Sequence, residues 1–119
     1  MRTLMIAGAA LALLLVPVGP GAFAKSKGTR FWNLTLYTVT SLQLSPPGKQ
    51  AWGPNQCKND PDGTVDHDER VKVTGVKSGR YDVKLADRIG RVCIVCNVQV
   101  KKGGIFTIEE KQLTDCNKK

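Results

Sequence analysis

Val92-Cys93-Ile94-Val95-Cys96-Asn97-Val98-Gln99-Val100 is the stretch that decides the fold. Val92, Ile94, Cys96, Val98 and Val100 recur at every second position, the period that puts side chains on one face of a β-strand. Cys93 and Cys96 lie three residues apart within it. At ~3.3 Å per residue their Cα atoms stand about 10 Å apart, and their side chains point to opposite faces. A disulfide needs Cα atoms within about 7 Å, so these two do not bridge each other.

The same period runs outward in both directions. Trp32, Leu34 and Leu36 face one way on a first strand, and Phe31, Asn33 and Thr35 face the other. Leu42 and Leu44, Val71 and Val73, then Tyr81, Val83 and Leu85 mark three more strands ahead of the quoted stretch. Phe106 and Ile108 mark a sixth beyond it. Valine, isoleucine and threonine are frequent in these runs, as pleated and half-buried surfaces prefer. Ser78-Gly79, Ile89-Gly90 and Gly103-Gly104 punctuate them at a spacing typical of sandwiches, and Lys101-Lys102-Gly103-Gly104 reads as a tight hairpin. No helical stripe is long enough for the crossover a parallel α/β sheet requires. The expected fold is therefore all-β: a small antiparallel β-sandwich of about six or seven strands.

Ahead of this domain, Arg2 precedes an apolar run from Leu4 to Val16, and Ala22-Phe23-Ala24 forms a small-x-small cleavage signature. Residues 1–24 are expected to be a signal peptide, removed to leave a single domain over residues 25–119, in the periplasm or secreted. The apolar run is too short and too interrupted to span a membrane. Arg2 is the only charge in the leader, which leaves 17 Lys and Arg against 10 Asp and Glu, net +7. The cations are scattered and lack both an arginine block and an aromatic platform, so nucleic acid is not the expected partner. The charge instead fits a soluble monomer drawn to anionic envelope polymers.

Outside the cytoplasm cysteines pair, and Cys57, Cys93, Cys96 and Cys116 then brace the domain. With Cys93–Cys96 excluded, two patterns stay open: Cys57–Cys96 with Cys93–Cys116, or Cys57–Cys93 with Cys96–Cys116. One disulfide and a buried thiol is the third outcome. A thioredoxin-type centre needs its first cysteine at a helix N-terminus, and Cys93-Ile94-Val95-Cys96 offers only β-formers. Zinc needs a second ligand pair, which Cys57, His67 and Cys116 do not supply by spacing.

From Ser45 to Asp68 the chain is a long Pro-, Gly-, Asn- and Asp-rich excursion, of the kind that often carries function or a staple. Asp60, Asp62, Asp66, Asp68 and Glu69 place five carboxylates within ten residues of it. Asp60, Asp62, Asp66 and Glu69 are the candidate ligands for Ca²⁺ or another hard cation. An EF-hand is excluded, because Lys58 falls where the first carboxylate belongs. The simpler reading is an Asx-capped turn with a solvated His67. No nucleophile accompanies His67, so no enzyme is expected. Asn33-Leu34-Thr35 has the form of a glycosylation sequon but lies within a strand. Trp52 is expected to be a lid over one end of the core; if exposed instead, it is the best candidate for a partner contact.

Trp32-Asn33-Leu34-Thr35, Leu44-Ser45-Pro46 with Trp52-Gly53-Pro54, Gly79-Arg80-Tyr81-Asp82-Val83-Lys84-Leu85, and the tail from Phe106-Thr107-Ile108 through Leu113-Thr114 to Cys116 together carry a resemblance. Over residues 30–116 the chain resembles a group of small exported bacterial β-sandwich proteins of uncharacterised function. The resemblance implies a compact periplasmic sandwich, favours Cys93–Cys116 and hence Cys57–Cys96, and brings no catalytic residues. The expected function is a non-enzymatic binding or structural module of the envelope, docking an envelope protein or an anionic polymer. The alternative is a hard-cation binder.

Overall fold

A computed structural model describes residues 28–117. The expected leader, residues 1–24, lies outside the described residues. Seven strands follow in order: β1 Arg30–Leu34, β2 Val39–Ser45, β3 Arg70–Lys72, β4 Gly79–Asp87, β5 Val92–Val100, β6 Ile105–Glu109 and β7 Cys116–Asn117. They form two sheets, one of three strands in the order β3-β1-β6 and one of four in the order β2-β4-β5-β7. The fold is an all-β sandwich with one disulfide, as the alternating pattern requires. One pair departs from antiparallel: β1 and β6 run parallel, with Phe31 opposite Phe106.

The core lies between the sheets. Phe31, Phe106 and Ile108 from the three-stranded sheet meet Leu42, Val83, Leu85 and Val100 from the other. The two phenylalanine rings sit 5.4 Å apart and tilted by 42°. Each fully buried aliphatic or aromatic side chain contributes roughly 1.5–3 kcal/mol. Asn33 and Thr35 are among the polar residues that share this interior, and neither leaves a group unpaired. Asn33 donates to the carbonyls of Val65 and Tyr37, and accepts from the Thr35 amide and hydroxyl. The sequon asparagine is thus fully buried, and its amide locks the turn after β1 to the long loop.

Two expectations need correction. The first concerns β5, where Val92, Ile94, Cys96, Val98 and Val100 do not share one face: the buried positions are Cys93, Val95 and Val100. Cys96 and Asn97 together oppose the single residue Asp82, because a β-bulge breaks the register between the Tyr81–Val98 and Val83–Val95 pairs. Asn97 adopts φ 58°, and its amide donates to Asp82 Oδ1 at 3.1 Å. One inserted residue reverses the parity of everything beyond it, so Val100 faces inward although Val92 does not.

The second concerns Lys101–Gly104, which does turn tightly, with the Gly104 amide donating to the Lys101 carbonyl at 2.8 Å. It is not a hairpin: it carries the chain from β5 in one sheet to β6 in the other.

Candidate functional site

The cysteines divide into a staple and two separate thiols. Cys93 and Cys116 are bonded, with Cα atoms 4.0 Å apart on paired residues of β5 and β7. Closing a loop of 23 residues is worth about 3 kcal/mol through the unfolded chain. The expected second bridge, Cys57–Cys96, does not form. Cys57 is fully buried in a 3-10 turn against β2, while Cys96 sits exposed at the bulge. Burial pushes the Cys57 thiol up to about 12, helped by the charge of Asp60. Partial desolvation and the carboxylates of Asp82 and Asp115 also raise Cys96. Neither thiol is poised as a nucleophile, since attack requires the thiolate.

The acidic loop spends its oxygens separately. Asp60 Oδ2 accepts the Asp62 amide, and Asp66 Oδ1 accepts the Thr38 hydroxyl. Glu69 Oε1 accepts the Asp66 amide, and Asp68 Oδ1 accepts the Trp32 indole N–H. Among the described residues no three His, Cys, Asp or Glu side chains gather as a metal-binding group. His67 is committed as well: its Nδ1 donates to the Thr35 carbonyl at 2.6 Å.

Trp52 does not close the end of the core. Its half-buried ring lies over the outer face of the four-stranded sheet, where Lys84 Nζ stands 4.9 Å from the ring centroid. The loop after β2 folds back to put it there. Gln43, facing outward on β2, donates to the Gly53 carbonyl, and the Gly53 amide donates to the Leu44 carbonyl, both at 2.9 Å. The Ala51 amide is held by Ser45 Oγ, and Gln50 takes a left-handed φ of 49°.

The result is a groove of about 370 Å³. Its floor is the outward side chains of Val92 and Ile94; its rim is Trp52, Gln50, Lys84, Asp115 and Asn117. The staple builds one wall, because Cys116 stands between Asp115 and Asn117 and is tied to β5. The Ile94 amide donates to the Asp115 carbonyl at 2.9 Å, which fixes the same segment a second time. Sequence reasoning marked Trp52 alone. Lys84 and Ile94 had a signal, since each alternates with inward residues on its strand. Gln50, Asp115 and Asn117 had none, because only the loop and the disulfide bring them there.

A second concavity, about 420 Å³, opens at the end carrying the β3–β4 and β5–β6 turns. Its charged lining residues are Lys72 and Lys102, with no acid among them. The ion pairs of the described residues lie elsewhere, with Arg91 bonded to both Asp87 and Glu110, and Lys111 to Glu109. Comparison with family models, curated proteins and solved structures finds no match to this chain.

Proposed function

We propose that this chain is a non-catalytic binding module, exported to the cell envelope, which docks an anionic envelope polymer through the outer face of its four-stranded sheet. The observation that carries this reading is the Trp52 groove: an apolar floor ringed by polar side chains that make no hydrogen bond or ion pair among the described residues. Ligand sites are concave, apolar at the base and set with a few convergent polar groups. The net charge of +7 left after removal of the leader (17 Lys and Arg against 10 Asp and Glu) and the lysine-lined concavity at one end supply attraction toward a polyanion. The non-catalytic reading is supported by the committed His67 and by two free thiols, both held above the ordinary thiol value.

Co-sedimentation of the purified protein with crude envelope tests this reading. Retention is expected at low salt, weakened in Trp52→Ala and in the Lys72→Gln/Lys102→Gln double variant. Retention of none of the protein, or retention equal in all three proteins, removes the reading.

A further inference from the structure

The groove at Trp52 is selective about what it can hold, and we infer that its ligand is a saccharide unit carrying an acidic group. This rests on the docking reading above and names the ligand chemistry of the same groove. The groove lies on the outer face of the sheet, with the two-residue edge strand β7 along one side. The backbone N–H and C=O groups beneath it are already spent in the β4–β5 and β5–β7 ladders. An extended peptide is held mainly by main-chain bonds to an open strand edge, and this floor has none to give. Recognition here must pass through side chains.

Those side chains are one aromatic ring, two carboxamides, one carboxylate and one ammonium. A pyranose has an apolar C–H face and a girdle of hydroxyls, each both donor and acceptor. The electron-rich face of an indole suits the C–H face of the sugar. The planar groups of Gln50, Asn117 and Asp115 suit neighbouring hydroxyls, because carboxamides donate and accept while carboxylate accepts twice. Val92 and Ile94 supply a dry base. None of these polar groups has another side-chain hydrogen bond among the described residues, and no acceptor there takes the Trp52 indole N–H.

The rim carries one cation, Lys84, and one carboxylate, Asp115, and the acidic preference rests on Lys84 beside the Trp52 ring. Its ammonium is held 4.9 Å from the Trp52 ring centroid, so a ligand in the groove meets ring and charge together. It forms no ion pair with any described carboxylate. A uronic-acid carboxylate or a sugar phosphate supplies the same anionic oxygens, and both belong to the class proposed.

Titration of ¹⁵N-labelled protein followed at the indole N–H peaks tests this without disturbing the fold. The probes are a uronic-acid oligosaccharide, a phosphorylated oligosaccharide, a neutral glucan of the same length and polyglutamate. The acidic sugars are expected to shift the Trp52 peak while leaving that of Trp32 in place. Trp52→Ala should weaken binding at least tenfold, and Lys84→Gln should abolish the preference for acidic over neutral glycan. Polyglutamate moving the Trp52 peak as strongly as the sugars would overturn the saccharide assignment, as would no shift with any sugar at millimolar concentration. If envelope retention still depends on Trp52 in that event, the docking module stands and its ligand is not a saccharide. If retention is absent too, both readings fall.

Discussion

The two tryptophans of the described chain stand on opposite outer faces of the sandwich, and they are treated differently. Trp32, on β1 of the three-stranded sheet, is closed off: Arg70 lies over its ring at 4.1 Å, and its indole N–H donates to Asp68 at 2.9 Å. Trp52, over the four-stranded sheet, has a looser cation at 4.9 Å and gives its N–H to no described acceptor. A ring whose edge and face are both occupied is structural; a ring left with an open edge beside a groove is available. The difference lies in the neighbours, since residue type is identical.

The staple is where that contrast is most easily broken. Replacing Cys93 and Cys116 together by alanine should lower stability by about 3 kcal/mol. For a domain of this size that is a fall of at least 10 °C in midpoint on the order-of-magnitude scale. The change should be one-sided. With Asp115 and Asn117 released, glycan binding at Trp52 weakens, while the Trp32 indole peak keeps its position. Calorimetry and the same peak titration read both. Equal disturbance of the two indoles would mean that the wall and the locked face are not separate.

Trp32→Ala should cost about 2 kcal/mol, combining a charge-assisted hydrogen bond with a cation–π contact near the surface. Binding at the groove should be unchanged. Trp32→Phe keeps the ring under Arg70 and should recover part of the loss, which urea unfolding measures. If Trp32→Ala instead abolishes glycan binding with the fold intact, the locked face is the functional one.

How far the contrast could be read in advance follows from the distance over which each part is determined. Alternation put Val71 and Val73, Val83 and Leu85, and Phe106 and Ile108 in the core, because period 2 is local. The face of β5 was misread beyond Cys96, where the bulge depends on a bond from Asn97 to Asp82, fifteen residues earlier. The parallel β1–β6 pair and the fate of Cys57 are likewise long-range outcomes. Trp32 gave a local sign of its role only in part, since Arg70 and Asp68 reach it from the far end of the acidic loop. At the groove, Trp52 was visible as a large aromatic in a loop. Lys84 and Ile94 carried the sign of strand alternation, whereas Gln50, Asp115 and Asn117, from the loop after β2 and the tail, carried none.

The thiols extend the comparison to chemistry. In the native protein a disulfide-exchange reagent at pH 8 should modify Cys96 slowly and leave Cys57 untouched, because the Cys57 thiol is buried and raised to about 12. One thiol should titrate natively and two after unfolding, with Cys93 and Cys116 silent. Two native thiols would place Cys57 outside the core.

A smaller effect concerns the end where the two sheets are clasped. Glu110 accepts from the Leu36 amide at the exit of β1 and from Arg91 beyond β4, so it ties one sheet to the other. The hydrogen bond from Arg91 holds its carboxyl below the usual range. A lowered folded value stabilises above the unfolded one, about 4.3, and that contribution is lost as pH falls through the folded value. Glu110→Gln should therefore lower the midpoint at pH 7 by the equivalent of at most about 1 kcal/mol, as partly exposed pairs do. Once the pH has fallen below the lowered folded value, the variant and wild type should converge. A difference that persists in acid would assign the effect to packing.

Trp52→Ala gives the smallest expected change in stability, within about 0.5 kcal/mol, the range of surface substitutions that leave no buried group unpaired. The argument is the inverse of that for Trp32. Deleting the ring strands no donor, since its N–H has no acceptor among the described residues, and Lys84 returns to water from a contact at the weak end of the exposed range, about 0.5 kcal/mol. The loop keeps its anchors at Ser45 and Gln43. A variant that melts with the wild type yet fails to bind would separate the two tryptophans by function. A loss as large as that of Trp32→Ala would instead make Trp52 a second structural clamp and leave the groove without its reader.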